Sequence, residues 1–350
     1  MSASKTEIGR RSVLGGLAAS AKLLGAPAAR AQAGGELIVA NWGGAYGGFA
    51  ENSFEKPILE KAGIRVVHDY QDAPERMTKV VAESRLPRGR IGVVHTADFM
   101  TAQLREQNTL ADVTAAEVPN LKDVLPSLIS PGFVPWLYTP LMILYNPKFV
   151  SDPPKTFADL WNSKWEGKIG LMDHIFHHHL QMAGLVAGSS MTDEAKAKPA
   201  LLELKKAVKP RLYPGQDTMA TALKNEEVWI TTGYKGRALL WADAGASLAY
   251  IYPGEGAIAS SLGASLTRRA PNREAAIAYL NAMTDPEGQA KMAQASFYSP
   301  SNSKTPLPPA LKARIALSED EEKRLQVPDP TFMGKNYAAW TQWWSREYKG

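Results

Sequence analysis

ELIVANWGG, residues 36–44, begins the stretch of sequence that decides the fold. Its apolar run is typical of a buried strand, and the Gly-Gly pair marks the turn that ends the strand. Two more strands of this kind are predicted downstream, and a predicted helix follows each of the three. The strands are residues 36–41, 64–70 and 91–95, and the helices are residues 49–62, 75–86 and 98–107. This alternation predicts an α/β fold with a parallel sheet, whose ligand lies beyond the carboxyl ends of the strands.

Proline and glycine interrupt this pattern at defined points. Pro57 is expected to break or kink the first helix. Residues 126–140 are rich in Pro and Gly and lead into a strand at 141–146, and a PGEG turn lies at 253–256. We expect a hinge at these two crossings. The remaining predicted elements are helices at 156–165, 201–208, 218–224 and 272–283 and strands at 228–232 and 248–252.

The C-terminal part shows two helix signals. Asp285 followed by Pro286 predicts an N-cap and the first position of a helix. Trp340, Trp343 and Trp344 have the spacing of one helix face. That spacing favours a stripe that faces the core over a ligand site.

Residues 1–33 have the three regions of an export signal: a charged start, a mild apolar run and the small-residue ending Ala31-Gln-Ala33. The pair Arg10-Arg11, followed by Val13 and Leu14, resembles a twin-arginine signal. We therefore expect export by the twin-arginine translocase, cleavage after Ala33 and a periplasmic location.

Composition excludes several classes of function. Without residues 1–33 the chain has 317 of its 350 residues, more than one hydrophobic core usually holds, so two lobes are expected. The whole chain carries a net charge of +5, of which the signal contributes +4, so bulk charge does not favour nucleic-acid binding. The absence of cysteine excludes thiol catalysis, cysteine-zinc sites and iron–sulfur clusters. No apolar stretch of about 18 residues follows the signal, so no membrane span is predicted.

Several motifs in series carry a resemblance to a known family. They are NWGGAY at 41–46, FEKPILEKAGIRVV at 54–67, PKTFADLWNSKWEGKIG at 154–170, AYIYPGEG at 249–256, residues 275–280, DPEGQA at 285–290 and YSPSN at 298–302. Together they span residues 36 to about 345 and resemble the periplasmic solute-binding proteins of ABC importers, in the branch that includes spermidine/putrescine binders.

The resemblance implies a two-lobed periplasmic binding protein of type II. Each lobe is expected to be a mainly parallel sheet flanked by helices, with a hinge between the lobes. Residues 36–137 and 257–304 are assigned to lobe 1. Residues 138–256 and 305–350, including the C-terminal helices, are assigned to lobe 2. The lobes would close on a small solute.

A ligand cleft of this kind needs aromatic walls and a few polar groups. Trp42 and Tyr46 match the positions from which the polyamine branch supplies a Trp and a Tyr, and such rings can hold an ammonium group by cation–π attraction. For Trp42 the alternative is core packing, and for Asp98 it is helix capping. The predicted ligand-binding residues are Trp42, Tyr46, Thr96, Asp98, Phe99, Asp173, His177, Tyr234, Lys235, Arg237 and Tyr298.

Departures from the polyamine pattern indicate a different ligand charge. Asp173 remains, but the next acidic position falls near His177, and a later family Asp is replaced within Ser260-Ser261-Leu262. Beside Tyr234 the chain has Lys235 and Arg237. Because Arg binds carboxylate or phosphate through paired hydrogen bonds, a zwitterion or organic anion is favoured over a dication. The alternative is that both cations point to solvent.

The sequence His174-Ile-Phe-His177-His178-His179 is a further unusual feature. On a helix, His174, His177 and His178 would share one face, a spacing that can ligate zinc or nickel. No HExxH arrangement accompanies it, so a metalloprotease is unsupported. We predict no metal and no other cofactor. Histidines that line or flank the cleft, or that make a pH-sensitive ligand contact, are the open alternatives.

Three classes of function follow from these patterns. The first is a binding protein that hands a small solute to an ABC permease in the inner membrane. The second is the same fold serving a chemoreceptor or sensor kinase. The third, an exported enzyme with a cofactor, is disfavoured because no Gly-rich phosphate loop, serine nucleophile elbow or paired metal carboxylates occur. We predict a non-enzymatic monomer with no nucleic-acid partner.

Overall fold

The computed structural model describes residues 35–188 and 190–350. The predicted signal, residues 1–33, lies outside these described residues. The described strands are β1 Gly35–Asn41, β2 Ile64–Tyr70, β3 Ile91–Ala97, β4 Leu110–Ala111, β5 Val134–Tyr145, β6 Ile169–Met172, β7 Arg211–Tyr213, β8 Ile230–Tyr234, β9 Ala249–Ile251, β10 Ile258–Thr267 and β11 Ser299–Pro300. The described α-helices are α1 Gly44–Ala50, α2 Ala73–Glu83, α3 Asp98–Glu106, α4 Phe176–Gly188, α5 Glu194–Val208, α6 Gln216–Lys224, α7 Lys235–Asp243, α8 Arg273–Met283, α9 Pro286–Ser296, α10 Pro309–Ile315, α11 Glu319–Lys323 and α12 Pro330–Trp343.

The strands form one mixed sheet, whose main path runs β2-β1-β3-β10-β5-β8-β6-β7. At one end β1 pairs in parallel with β2 and β3, as the first three predicted strands required. At the other end β6 pairs in parallel with β7 and β8. Between these ends, the long strands β5 and β10 run antiparallel to their neighbours. The sheet is therefore parallel at both ends and antiparallel in the middle.

Pro57 changes the winding of the first helix without ending it. After α1 the chain continues as a π-helical segment, Glu51–Glu60, and Pro57 lies inside it. Proline has no N–H for the α-helical hydrogen bond, so a local change of helical register is a common way to accommodate it. The buried residue Phe54 in this segment packs edge-on against Tyr279 of α8, at a centroid distance of 5.1 Å.

Two large clusters of buried side chains flank the antiparallel middle of the sheet. One contains Leu37, Phe54 and Tyr279, and the other contains Phe157, Leu201 and Trp340. Strand β5 contributes to both, since Trp136 and Leu137 belong to the first cluster and Leu141, Met142, Ile143 and Leu144 belong to the second. The chain thus passes from one core to the other within a single strand.

The C-terminal predictions are confirmed by burial and capping. Trp340, Trp343 and Trp344 are all buried in the second core. Asp285 caps α9 by accepting a hydrogen bond from the Gly288 amide, with Pro286 at the first helical position. Among the described residues, none of the helices has the length and apolar character needed to span a membrane.

Two local predictions need correction. Strand β10 was not predicted, because its sequence IASSLGASLT consists mostly of small residues rather than a β-branched run. The helix predicted at 156–165 is instead a pair of short 3₁₀ turns, Ala158–Trp161 and Ser163–Trp165. Here the Glu255 carboxylate accepts hydrogen bonds from the Phe157 and Ala158 amides, at 2.8 and 3.0 Å.

Candidate functional site

An aromatic wall lies at the carboxyl ends of β1 and β3, and we call Trp42, Tyr46, His95 and Trp136 the first wall. Trp42 follows β1 directly, and α1 places Tyr46 in its first turn. The Tyr46 ring packs edge-on against Trp42, Trp136 and His95, at centroid distances of 4.9, 5.3 and 5.7 Å. Trp136 and His95 are fully buried, whereas Trp42 and Tyr46 are partly exposed. The first wall is therefore a packed surface with two rings at its edge.

A chain of hydrogen bonds leads from this wall into the core, and we call it the relay. The Tyr46 hydroxyl lies 3.3 Å from His95 Nδ1, and His95 Nε2 lies 2.8 Å from the Tyr279 hydroxyl. Tyr279 donates to Glu55 Oε1 at 2.9 Å, and Glu55 Oε2 lies 2.8 Å from His68 Nε2. Burial lowers the pKa of His95 well below its ordinary value, so its imidazole is neutral.

Arg76 supports the first wall from behind. It is fully buried, and its guanidinium carbon lies 4.1 Å from the centroid of the Trp42 ring. Its side chain donates to the carbonyl oxygens of His95 and Gln71, while Nη2 has no partner among the described residues. Burial lowers the pKa of Arg76 to about 10, so it stays charged at neutral pH. A cation on one face of Trp42 weakens the attraction of that ring for a second cation.

Arg76 was missed by the sequence analysis, although a signal existed. Arg76, Val80 and Glu83 form the buried face of α2. An arginine on the apolar stripe of a helix must be buried with its hydrogen bonds satisfied, and such residues often lie near functional sites.

A second wall comes from α4, α7 and the end of β8, and we call His177, His178, Tyr234 and Arg237 the second wall. The His178 ring lies 4.3 Å from that of His177 and 5.8 Å from that of Tyr234. His177 also packs against Phe99 at 5.2 Å. Burial lowers the pKa of His178 to about 4 and that of His177 well below its ordinary value, so both rings are neutral.

Polar atoms of the second wall and its neighbour Gln216 are buried without partners. Among the described residues, His177 Nδ1, His178 Nε2, Arg237 Nε and Gln216 Oε1 make no hydrogen bond. Buried polar groups in folded proteins are almost always paired, because an unpaired one costs about 1–3 kcal/mol. A ligand in contact with these neighbouring elements would supply such partners.

Arg237 is held at the start of α7 beside Tyr298. Gly236 permits this approach, since a Cβ there would lie only 2.7 Å from Cδ1 of Tyr298. Burial raises the pKa of Tyr298, and the charge and hydrogen bond of Arg237 act in the opposite direction. Desolvation and the charge of Arg237 lower the pKa of His174 to about 4. Arg237 has no carboxylate within salt-bridge distance in the described part of the chain.

Asp98 is the carboxyl group that faces the second wall. It is the first residue of α3, with Ala97 as the N-cap, and its Oδ1 accepts a hydrogen bond from the Phe99 amide at 2.7 Å. Burial raises the pKa of Asp98 to about 7. The Asp98 charge reaches Tyr234, whose pKa is raised mainly by burial and further by this carboxyl. Asp98 is thus close to its protonation midpoint at neutral pH.

Asp173 and Lys235, both predicted to bind ligand, use their polar atoms elsewhere. The Asp173 carboxylate accepts hydrogen bonds from Trp344 Nε1 and from Lys349 Nζ, which tie it to the C-terminal segment. Lys235 Nζ donates to the carbonyl oxygens of Ile315 and Ala316 at the end of α10. Both charges are thus paired within the protein, whereas the prediction placed them against a ligand.

Thr96 and Phe99 also differ from the prediction in their surroundings. The Thr96 hydroxyl is fully buried and lies 2.7 Å from the Thr101 hydroxyl, so its hydrogen bond is internal. Phe99 is buried between His177 and Tyr337, where it supports the second wall. Trp42, Tyr46, Asp98, His177, Tyr234, Arg237 and Tyr298 remain as residues that the structure brings near the two walls.

The histidine cluster does not share one helix face. His174 lies in a 3₁₀ turn, Asp173–Ile175, and α4 begins at Phe176. His179 points away from the second wall, with Nε2 lying 3.0 Å from the Met172 carbonyl oxygen. No group of three or more His, Asp or Glu side chains in the described ranges is arranged to hold a metal ion.

Comparison with known proteins gives consistent matches. The profile of a family described as bacterial extracellular solute-binding protein matches residues 52–319. The spermidine/putrescine-binding periplasmic protein of Escherichia coli K12 is 22% identical over 293 residues, covering 81% of this chain and 82% of that protein.

Solved structures show the same architecture. The Atu4243 GABA receptor has a TM-score of 0.78 at 18% identity, covering 89% of this chain and 97% of its own. MotA from Agrobacterium tumefaciens B6, solved with glucopine, has a TM-score of 0.74 at 21% identity, covering 88% and 98%. These likenesses confirm the predicted α/β fold of the type II periplasmic binding class.

Proposed function

The chain belongs to the family of bacterial extracellular solute-binding proteins, and we propose that it captures a small organic zwitterion or anion and delivers it to the permease of an ABC importer. The single observation that carries the ligand class is Arg237. Its guanidinium faces Tyr298 and His174, and Nε is buried without a partner among the described residues. A carboxylate or phosphonate matches the paired donors of a guanidinium.

Neutral groups around Arg237 support an anionic occupant. His174 carries no charge at neutral pH, and the Tyr298 hydroxyl is an uncharged hydrogen-bonding group. None of these groups neutralises Arg237, so a ligand carboxylate would supply the missing negative charge. Burial away from water strengthens such a pair relative to the same pair at the surface.

The positions of the other charges argue against a dication. Arg76 already occupies one face of Trp42, and Asp173 is engaged by Trp344 and Lys349. A diamine would also place one ammonium group close to Arg237. Asp98 is the carboxyl left for a ligand ammonium, and a cation beside it would favour its ionised form. A zwitterion would therefore pair its carboxylate with Arg237 and its ammonium group with Asp98.

Relatives support both this proposal and one competitor. GABA is a zwitterion, and glucopine is the ligand in the MotA complex. The competitor is a polyamine, which the match to the E. coli spermidine/putrescine protein and the free carboxyl of Asp98 favour. A sensor role in place of transport would use the same site.

Location and lobes are part of the same proposal. We propose export through the twin-arginine system, which Arg10→Lys with Arg11→Lys would abolish; unchanged periplasmic yield would refute it. We also propose a monomer whose lobes, residues 36–137 with 257–304 and residues 138–256 with 305–350, close on the ligand. The passage of β5 from one core to the other supports this division. An unchanged radius of gyration in saturating ligand would contradict closure.

The test of the ligand class is calorimetry on Arg237→Ala. A thermal-shift screen of amino acids, opines, phosphonates and polyamines first identifies a ligand, since binding to the folded state raises the melting temperature. Loss of one partner of a buried charge pair costs about 2–5 kcal/mol, or roughly 30-fold to several thousand-fold in affinity. Lys235→Met removes a neighbouring charge whose Nζ donates to the carbonyl oxygens of Ile315 and Ala316, so it is the matched control and should change affinity less than twofold. If the unmutated protein binds spermidine tightly and Arg237→Ala leaves that affinity unchanged, the ligand is a polyamine instead.

A further inference from the structure

The direction of each hydrogen bond in the relay follows from its inner end. Glu55 is a buried carboxylate that contacts both His68 Nε2 and the Tyr279 hydroxyl. The Tyr279 hydroxyl donates to Glu55 Oε1 at 2.9 Å, and a hydroxyl has a single proton to donate. The Tyr279 proton is therefore committed to Glu55, and the Tyr279 oxygen is left as an acceptor.

His95 extends this order of donors and acceptors to Tyr46. Its Nε2 lies 2.8 Å from the Tyr279 oxygen, so Nε2 must carry the proton. A neutral imidazole has one donor and one acceptor nitrogen, which makes Nδ1 the acceptor. The Tyr46 hydroxyl, 3.3 Å from Nδ1, must then donate to it. The oxygen of Tyr46 is consequently left with only its lone pairs for a further hydrogen bond.

We propose that the relay fixes Tyr46 as a hydrogen-bond acceptor, and that the ligand places a donor group there while its carboxylate binds Arg237. This rests on the proposed function and adds the orientation of the ligand between the walls. The donor is an N–H or O–H group: an ammonium, an amide or a hydroxyl. A second ligand carboxylate at Tyr46 would bring its own lone pairs against those of the Tyr46 oxygen, with no proton between them.

The reverse direction leaves a buried group unpaired. If Nδ1 of His95 carried the proton, Tyr279 would have to donate to Nε2. Its hydroxyl has one proton, so Oε1 of Glu55 would lose its donor in the core. Both His95 and Tyr279 are fully buried, which leaves no water to replace that donor. A buried acceptor without a donor costs about 1–3 kcal/mol, so the observed contacts select one direction.

The tautomer of His95 tests the relay without any ligand. Nitrogen-15 NMR of the whole protein at neutral pH distinguishes protonated from unprotonated ring nitrogens. The proposal requires a proton on Nε2 and none on Nδ1. A proton on Nδ1, or on both nitrogens, would overturn it.

Binding of three four-carbon carboxylates tests the consequence for the ligand. γ-Aminobutyrate, 4-hydroxybutyrate and succinate share a carboxylate for Arg237 and end in a charged donor, a neutral donor and a second acceptor. Both donor-ended compounds should bind at least tenfold more tightly than succinate, and their ratio shows whether the donor is charged. Succinate binding equal to the others would contradict the orientation.

The variant Glu55→Gln links the two tests. The glutamine amide can donate to the Tyr279 oxygen, which permits every hydrogen bond of the relay to reverse. The ratio of the affinities for the donor-ended compounds and for succinate should therefore fall at least tenfold. Glu83→Gln is the control, because Glu83 is a buried carboxylate that accepts from the Arg90 and Ile91 amides outside the relay. An unchanged preference in a folded Glu55→Gln protein would overturn the proposal. Failure of these compounds and of their longer homologues to bind would instead contradict the proposed function, since the tautomer measurement does not depend on it.

Discussion

The two walls of the candidate cleft differ in how completely their polar groups are paired. In the first wall the polar atoms of Tyr46 and His95 are paired through the relay. In the second wall His177 Nδ1, His178 Nε2 and Arg237 Nε are buried and unpaired among the described residues. Trp136 Nε1 of the first wall is likewise buried without a partner among the described residues. The walls therefore differ in their imidazoles: both nitrogens of His95 are paired before a ligand arrives, whereas His177 and His178 each keep an unpaired nitrogen.

This difference separates stability from affinity. Groups that are already paired stabilise the folded chain, so changing them should lower the free energy of unfolding. A buried polar group without a partner lowers the free energy of unfolding of the ligand-free protein. That cost is recovered when a bound ligand supplies the partner. Variants of paired groups should therefore mainly lower the free energy of unfolding, whereas variants of unpaired groups should mainly lower the affinity for the ligand.

The largest expected effect is destabilisation of the folded protein by acid. Several imidazoles contribute to it, and most of them lie in or beside the second wall. Burial lowers the pKa of His178 to about 4 and of His179 to about 3, below the ordinary value of 6.5. Between about pH 6.5 and 4 the unfolded chain binds protons that the folded chain does not, so the free energy of unfolding falls as pH falls. Each such imidazole contributes up to about 1.4 kcal/mol per pH unit, and the full stability is present above pH 6.5.

Urea denaturation from pH 7.5 to 4.5 measures this slope, and His178→Gln should flatten it. Asp98 acts oppositely: its pKa is raised to about 7, so its contribution is present at low pH and is lost as pH rises from about 4 to 7. Asp98→Asn should therefore steepen the loss of stability on acidification. A His178→Gln protein with the slope of the wild type would contradict the account.

The next effect is truncation of the first wall at Trp136. This fully buried ring packs against Tyr46, Phe54 and His95. Trp136→Ala should lower the free energy of unfolding by about 3–5 kcal/mol, because it leaves a large cavity. Urea denaturation at pH 7.5 tests it. Trp42→Ala, which truncates a partly exposed ring at the edge of the same wall, should cost distinctly less; equal losses would mean that the wall is not packed as described.

The smallest effect should have the opposite sign. His177→Phe keeps the ring contacts with Phe99 and Tyr337 and removes the unpaired Nδ1. The ligand-free protein should gain about 1 kcal/mol in the free energy of unfolding, while affinity for its ligand falls. Thermal melts with and without γ-aminobutyrate compare the two quantities. His179→Phe is the contrast, since His179 is paired with Met172 and should lose stability; a loss in both variants would argue against an unpaired nitrogen.

Sequence reasoning named residues of both walls but not the contacts that hold either wall together. Trp42 and Tyr46 follow a strand that local pattern predicts, yet Tyr46 packs against His95, 49 residues away, and against Trp136. The second wall combines α4, α7 and the end of β8, and its contacts depend on where the C-terminal segment lies. Trp344 and Lys349 engage Asp173, more than 170 residues away, and the end of α10 engages Lys235. Local pattern carries no information about such partners.

The same reasoning explains the limits on the fold prediction. The parallel strands β1, β2 and β3 have strong apolar runs and were predicted, whereas the short parallel strands β6 and β7 were not. Strand β10 is stabilised by pairing with β3 and β5 on both sides, so its small residues need no intrinsic strand preference. Arg76 escaped notice because its role depends on Trp42 lying above it.

The central claim is that one end of the ligand is a carboxylate bound to Arg237. Calorimetry with γ-aminobutyrate and putrescine tests it most directly, because the two compounds share a four-carbon chain and one ammonium and differ at a single end. Homologous pairs of longer ω-amino acids and diamines extend the comparison if the cleft requires a longer ligand. We expect the amino acid of the best-binding pair to bind at least tenfold more tightly than its diamine. A diamine that binds as tightly or more tightly would contradict the claim.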